Sequence, residues 1–355
     1  MKIGLLTFHD TTNFGSFLQT YGLYKALLNM GCDCEVIDYK CEAIVKRELP
    51  KKRPTNYSVR EIAKFVLIDG MTRKKYEAFC KSIKNTFHLS KTYRIDNISE
   101  ANAEYDMFLV GSDILWNREI TNGDMTYFLD FVNNQKTRNS FSTSIGEPWS
   151  CDEERIIEPL LKRFDNIALR EQDSIEWVRK IYKKEVYSVC DPTMLLNSCE
   201  WDVFLKNYRH KFDNYVLVYF YDNNVIEDAK RYAEKHKLKV IVINYGLPIK
   251  GVKNIHPYEI GEFLGLIKNA KVVFTSSYHG MLFSIYYKIP FVCYGRKNGN
   301  NVRFVSVLKK LGIEDNYITS TFNSSEINID YNKVNLKVEE WRKESLKILR
   351  GYWEE

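Results

Sequence analysis

Apolar residues 3–8 form a short run, and the polar stretch Thr11-Thr12-Asn13-Phe14-Gly15-Ser16 reads as a turn. Phe17, Leu18, Tyr21, Tyr24, Leu27 and Leu28 then recur at helical spacing, Gly31 stops that helix, and residues 35–39 make the next strand. A β-α-β opening predicts a parallel sheet covered by helices. Further strands are predicted at 105–110, 139–145, 167–169 and 186–189, and each ends in small or polar residues: Gly111-Ser112-Asp113, Gly146, Arg170-Glu171 and Asp191-Pro192-Thr193. A second series follows, with strands at 215–221, 239–244, 271–275 and 291–294 alternating with helices near 225–236, 258–268 and 280–287. The pattern predicts an α/β chain of two Rossmann-like domains. The first spans 1–185 with a basic, partly helical insertion near 40–100, and the second spans 186–325. A tail and amphipathic helix over 326–355 are expected to pack back on the first. In open α/β sheets ligands bind beyond the carboxyl ends of the strands, where the polar residues named above lie.

Composition narrows this picture without redirecting it. The 355 residues carry a net charge of +6, which suits anionic small substrates or an acidic membrane surface better than nucleic acid. Between Lys40 and Arg94 fifteen Lys or Arg face five Asp or Glu; a solvated surface explains this as well as contact with anionic lipid through Lys51, Lys52 and Arg53 does. Twenty-four Tyr and six Trp exceed what a core requires, so some rings could stack on sugars, though packing is the commoner use. The eight Cys form neither a disulfide framework nor a zinc pattern, and the apolar opening is shorter than a signal peptide. A cytoplasmic protein, at most peripheral at the membrane face, is expected, with no metal and no cofactor.

Four groups could carry chemistry. Asn13, Gly15 and Gln19 lie at a strand-turn-helix junction whose helix N-terminus favours an anion or a sugar hydroxyl, although capping alone would account for Asn and Ser there. Neither a dinucleotide nor a Walker fingerprint is present. Asp113, with Trp116 and Asn117, offers a carboxylate for a hydroxyl and a face for a sugar ring; the plainer reading is an Asx turn leading to a buried Trp. Arg170 has the planar fork that matches carboxylate and phosphate, or else makes a surface ion pair with Glu171. His279, between Ser277 and Gly280 at a strand-to-helix junction, stands out among six His; His9 is the next candidate.

These residues keep their order in a pattern that resembles the polysaccharide pyruvyl transferase family. The resemblance rests on the run from Asn13 to Gln19 with Gly22-Leu23, on Val110 to Asp113 with Trp116-Asn117, on Arg170-Glu171 and Asp191-Pro192-Thr193, and on Ser277 to Gly280 with Pro290-Phe291. Arg303 stands where the family tends to carry an Arg. The resemblance implies a fold like that of the GT-B glycosyltransferases, with the site in a cleft between domains. It also implies phosphoenolpyruvate as donor co-substrate and a lipid-linked sugar of a cell-surface glycan precursor as acceptor. On this footing Arg170, His279, Ser277, Gly280 and Arg303 hold the donor, while Asn13, Gly15, Gln19, Trp116 and Asn117 meet the acceptor. Asp113 orients or deprotonates a hydroxyl. Ile114-Leu115 and the stretch Ser142 to Gly146 depart from the family pattern, so the acid and the base stay open. A nucleotide-sugar glycosyltransferase and a non-catalytic glycan-binding protein are rival readings on the same fold.

Overall fold

The structure, a computed structural model, describes residues 1–50, 58–295, 301–323 and 326–354. Lys51, Lys52 and Arg53 lie outside the described residues. Two compact units emerge: unit 1 comprises Met1–Glu48, Ile83–Leu196 and Leu336–Glu355, and unit 2 comprises Leu49–Ser82 and Asn197–Asn335. The chain therefore enters unit 2 at 197 rather than 186. Most of the basic insertion that the sequence assigned to the first domain belongs to unit 2.

Unit 1 begins with β1 (Lys2–Leu6), α1 (Phe14–Asn29), β2 (Asp33–Val36) and α2 (Glu42–Glu48). The long helix α3 (Val59–Thr86) starts in unit 2 and ends in unit 1. Then come β3 (Met107–Val110), α4 (Arg118–Thr121), β4 (Thr137–Thr143), α5 (Cys151–Leu161), β5 (Asn166–Leu169), α6 (Gln172–Ile181) and β6 (Val186–Ser188). The six strands are parallel in the order β2-β1-β3-β4-β5-β6. The order reverses at β1, which has β2 on one side and β3 on the other. Asn13 caps α1 by accepting from the Gly15 amide, and at the far end Gly31 adopts φ +81°, which costs glycine nothing. The core gathers Phe8, Phe108, Trp116, Phe128 and Phe164 against the sheet. Tyr93, Tyr105, Tyr127 and Tyr182 are also fully buried, so packing absorbs much of the aromatic excess.

Unit 2 runs through β7 (Tyr215–Tyr219), α7 (Asn223–His236), β8 (Lys239–Ile243), β9 (Lys253–Ile255), α8 (Ile260–Lys268), β10 (Val272–Thr275), α9 (Tyr278–Tyr286), β11 (Phe291–Tyr294), α10 (Val302–Leu311) and β12 (Tyr317–Ile318). Its parallel order β12-β11-β10-β7-β8-β9 is that of the dinucleotide-binding fold, with the reversal between β7 and β10. The last helix, α11 (Tyr331–Arg350), returns to unit 1. Arg342 donates to the carbonyls of Met194 and Leu196, Ser345 accepts from the Cys190 amide, and Tyr352 just beyond it donates to the Ser140 carbonyl. Among the described residues no helix is long and apolar enough to cross a membrane.

Candidate active site

Asn13, Gly15 and Asp113 in unit 1, and Ser277, His279 and Gly280 in unit 2, lie at the switch point where the sheet order reverses, whereas Arg170 follows β5, two strands away. In unit 1 the ends of β1 and β3 meet α1. The Ser16 hydroxyl donates to Asp113 Oδ2 (2.7 Å), and the Ile114 amide donates to Asp113 Oδ1 (2.9 Å). Asp113 itself sits at φ +80°, tied to Thr143 by an isolated bridge between β3 and β4. Gly111 before it adopts φ +150°, and a Cβ there would lie 2.0 Å from the Phe141 carbonyl oxygen. Only glycine permits so close a passage beside β4.

Gln19, fully buried, organises this turn. Its carbonyl oxygen accepts from the Ser112 amide (3.1 Å), and its amide group donates to Thr7 Oγ1, the Ser16 carbonyl and Thr20 Oγ1. The expectation that it contacts the acceptor is therefore corrected: Gln19 positions the strand end. Trp116 is corrected likewise. It is 0% exposed, its indole N–H donates to the Tyr127 carbonyl (2.9 Å), and its face stacks on Phe128. No face remains for a sugar ring. Asn117 caps α4, its side-chain oxygen accepting from the amides of Glu119 and Ile120. Asn13 is exposed and Gly15 lies in the first turn of α1, beside the Ser16–Asp113 pair.

The Arg170 ion pair is buried and does not lie on the surface. Its side chain is 1% exposed, Nε donates to Glu171 Oε1 (3.1 Å), and Nη1 donates to Asp191 Oδ2 (2.9 Å). Two buried carboxylates thus answer this one cation. Arg170 thereby joins Glu171 to Asp191. At the other side of the sheet edge, His9 Nε2 meets Asp38 Oδ1 (2.9 Å), while Lys40 bridges Asp38 and Asp10. Burial alone would raise the Asp38 carboxyl, but hydrogen bonds from His9, Lys40 and Thr92 hold it well below the usual carboxylate range. Sequence reasoning ranked His9 second and passed over Asp38; its place just after β2 was the available signal.

Unit 2 gathers the opposite electrostatics. Ser277 caps α9, its hydroxyl accepting from the Gly280 amide (3.2 Å), and the Thr275 hydroxyl accepts from the Ser277 amide while donating to the Tyr219 carbonyl at the end of β7. Gly280 is needed for contact, since a Cβ there would lie 2.9 Å from Thr275 Oγ1. His279, buried in the first turn of α9, packs edge-on against Tyr278 (5.3 Å between centroids). The Arg303 guanidinium, from α10, lies over the same Tyr278 ring at 5.4 Å. A helix N-terminus, an imidazole and a guanidinium thus share one neighbourhood, with the partial positive charge of the helix at its centre. Among the described residues no group of three or more His, Cys, Asp or Glu could hold a metal ion.

A family model for polysaccharide pyruvyl transferases matches residues 13–298. The chain belongs to that family. The matched stretch contains every site residue named above except Arg303 and the group Thr7, His9 and Asp10. No curated protein matches the chain significantly. Among solved structures, a candidate UDP-N-acetylglucosamine 2-epimerase from Listeria monocytogenes is similar at 11% identity and a TM-score of 0.51, covering 98% of this chain and 89% of that one. MnaA of S. aureus, solved with UDP, is similar at 12% identity and a TM-score of 0.50, covering 96% and 87%. At such identities the likeness shows the fold alone: this pyruvyl transferase family member has a two-domain, Rossmann-like fold of the GT-B type.

Proposed function

We propose that the protein transfers a pyruvyl group from phosphoenolpyruvate to two hydroxyls of one sugar in a cell-surface glycan precursor, forming a ketal and releasing phosphate. The reaction balances without a cofactor. Of the two hydroxyl protons lost by the sugar, one goes to C3 of the donor, which becomes a methyl group, and the other leaves with phosphate. Both new C–O bonds form at C2, from which the phosphate oxygen departs. The observation that carries this reading is the meeting of the α9 N-terminus, His279 and Arg303 at the switch point of unit 2. That arrangement suits a small donor with a carboxylate and a phosphate. In this reading the Ser277–Gly280 turn and Arg303 hold the donor, His279 escorts a proton to the leaving phosphate, and Asp113, steadied by Ser16, orients the acceptor near Asn13 and Gly15.

Phosphoenolpyruvate should raise the melting temperature of the protein, because a ligand that binds only the folded state stabilises it by mass action. His279→Asn should lower phosphate release by roughly 10²–10⁴-fold, the usual contribution of a general acid or base. A shift with nucleotide sugars and none with phosphoenolpyruvate would instead favour glycosyl transfer. The reading also includes peripheral contact with anionic lipid beside a lipid-linked acceptor. Its support is the exposed Lys74, Lys81 and Lys84 on α3, spaced along one helical face. Changing these three to Glu should release the protein from phosphatidylserine vesicles at low salt, and unaltered co-sedimentation would end that part of the reading.

A further inference from the structure

Unit 2 holds a cavity of about 250 Å³ beside its edge strand β9, between α8 and the segment that leads into β7. Tyr208, Lys211, Phe212, Lys253, His256 and Glu262 line it. At about 30 Å³ per water the space equals roughly eight waters, room for one small ring compound. The cavity is separate from the candidate donor site. In the sheet β9 lies two strands beyond β7, roughly 10 Å at the usual strand spacing, whereas α9 begins at the switch point between β7 and β10.

The lining groups select the ligand. Lys211 Nζ lies 3.9 Å from Glu262 Oε1, while Glu262 Oε2 accepts from the amides of Tyr258 and Glu259 at the start of α8. Lys253 is exposed and has no ion-pair partner among the described residues. Two ammonium groups against one carboxylate leave the lining with an excess of positive charge, which attracts an anion. His256 Nδ1 faces the Asn244 carbonyl, which can only accept, so Nδ1 carries the proton and Nε2 presents a lone pair in the neutral ring. Neither that Nε2 nor the Tyr208 hydroxyl has a hydrogen-bond partner among the described residues. Burial first, and the Glu262 carboxylate second, push the Tyr208 hydroxyl above its ordinary value, so it stays a donor at neutral pH. Both rings are held in place. Tyr208 is seated on α8 at Gly265, where a Cβ would lie 2.5 Å from the ring, and Phe212 meets Tyr215 edge-on at 6.4 Å. Aromatic walls of this kind give a ring compound an apolar surface. We propose that this cavity is a second ligand site, for a sugar phosphate. The phosphate meets Lys211 and Lys253, sugar hydroxyls meet His256 Nε2 and the Tyr208 hydroxyl, and the sugar ring packs against Tyr208 and Phe212.

Calorimetry on the full chain is the test. Its probes are glucose 1-phosphate, galactose 1-phosphate and N-acetylglucosamine 1-phosphate, with inorganic phosphate, methyl glucoside and uridine monophosphate for comparison. At least one sugar phosphate should bind more tightly than all three comparison compounds. Lys253→Gln should weaken that ligand roughly ten- to a hundredfold, the worth of one hydrogen bond to a charged group. Lys211→Gln should act in the same direction, and His279→Asn should leave the affinity unchanged. Phosphoenolpyruvate should not displace the sugar phosphate. Binding of no sugar phosphate, preference for uridine monophosphate, or unchanged affinity in both lysine variants overturns the proposal. So does a loss in His279→Asn as large as that in Lys253→Gln, which would place the ligand at the switch point instead. Because sugar phosphate is titrated without phosphoenolpyruvate, a protein that binds it here but ignores phosphoenolpyruvate would count against pyruvyl transfer and leave this site standing.

Discussion

Arg170 shows how a residue type and its surroundings can point in different directions. A guanidinium after a strand end suggests an anion site, but Glu171 and Asp191 lie against this one, and all three are buried. Removing one member of a buried ion cluster leaves the others uncompensated, so Arg170→Ala should cost about 3–5 kcal/mol of stability, read as a lower urea midpoint. A merely catalytic Arg would leave that midpoint in place. Asp38 gives a second test at this scale. Its folded-state carboxyl titrates below its unfolded value, so the stability it contributes is present above about pH 4 and drains away as the pH falls through the folded value. The wild-type urea midpoint should therefore fall as pH drops below about 5, and Asp38→Asn should flatten part of that slope while starting lower at neutral pH. Asn13, Asp113 and His279 were legible as candidates because motif and strand end coincide at each. The fates of Trp116 and Gln19 were not, since depth of burial is set by what the rest of the chain packs over them.

Elements were easier to read than side-chain fates. Apolar runs bounded by turn residues predicted β1, β7, β10 and β11 and the helices after the first three, because periodicity survives any tertiary arrangement. The two edge strands β9 and β12, three and two residues long, have too little pattern to show. Helix α5 was passed over although its start carries a capping box, with Ser150 and Glu153 answering each other. The partly helical insertion predicted near 40–100 owes most of its helix to the single α3. The motif glycine in α1 has a packing role: a Cβ on Gly22 would lie 2.4 Å from the Pro192 carbonyl oxygen, where α1 crosses the turn that carries Asp191. Gly22→Ala should thus cost about 1–3 kcal/mol by pushing that turn off the helix. Thermal unfolding checks it, and an unchanged melting temperature would show that the turn yields freely.

Domain boundaries were least legible, because hydrophobic spacing announces a helix without saying which core will take it. On α3, Met71 and Phe79 belong to unit 2, where Lys75 lies over the Tyr245 ring, whereas Ile83 and the following Phe87, against Phe17, belong to unit 1. The C-terminal helix has a traceable bearing on the candidate site. Ser345 holds the Cys190 amide, and Arg342 holds the Met194 and Leu196 carbonyls, so α11 fixes both flanks of the segment that carries Asp191. Asp191 in turn fixes Arg170, and Arg170 fixes Glu171. Arg342→Ala strips charged donors from two carbonyls and should cost about 1.5–3 kcal/mol or more, the range for hydrogen bonds to charged groups. It should also weaken sugar binding beside Asp113, which Glu171 reaches through Ser144, while leaving at its wild-type size the phosphoenolpyruvate-induced rise in melting temperature, which on the proposed reading depends on His279 and Arg303 in unit 2. Equal loss of both responses would mean that the tail supports the whole fold and has no selective hold on the acceptor edge.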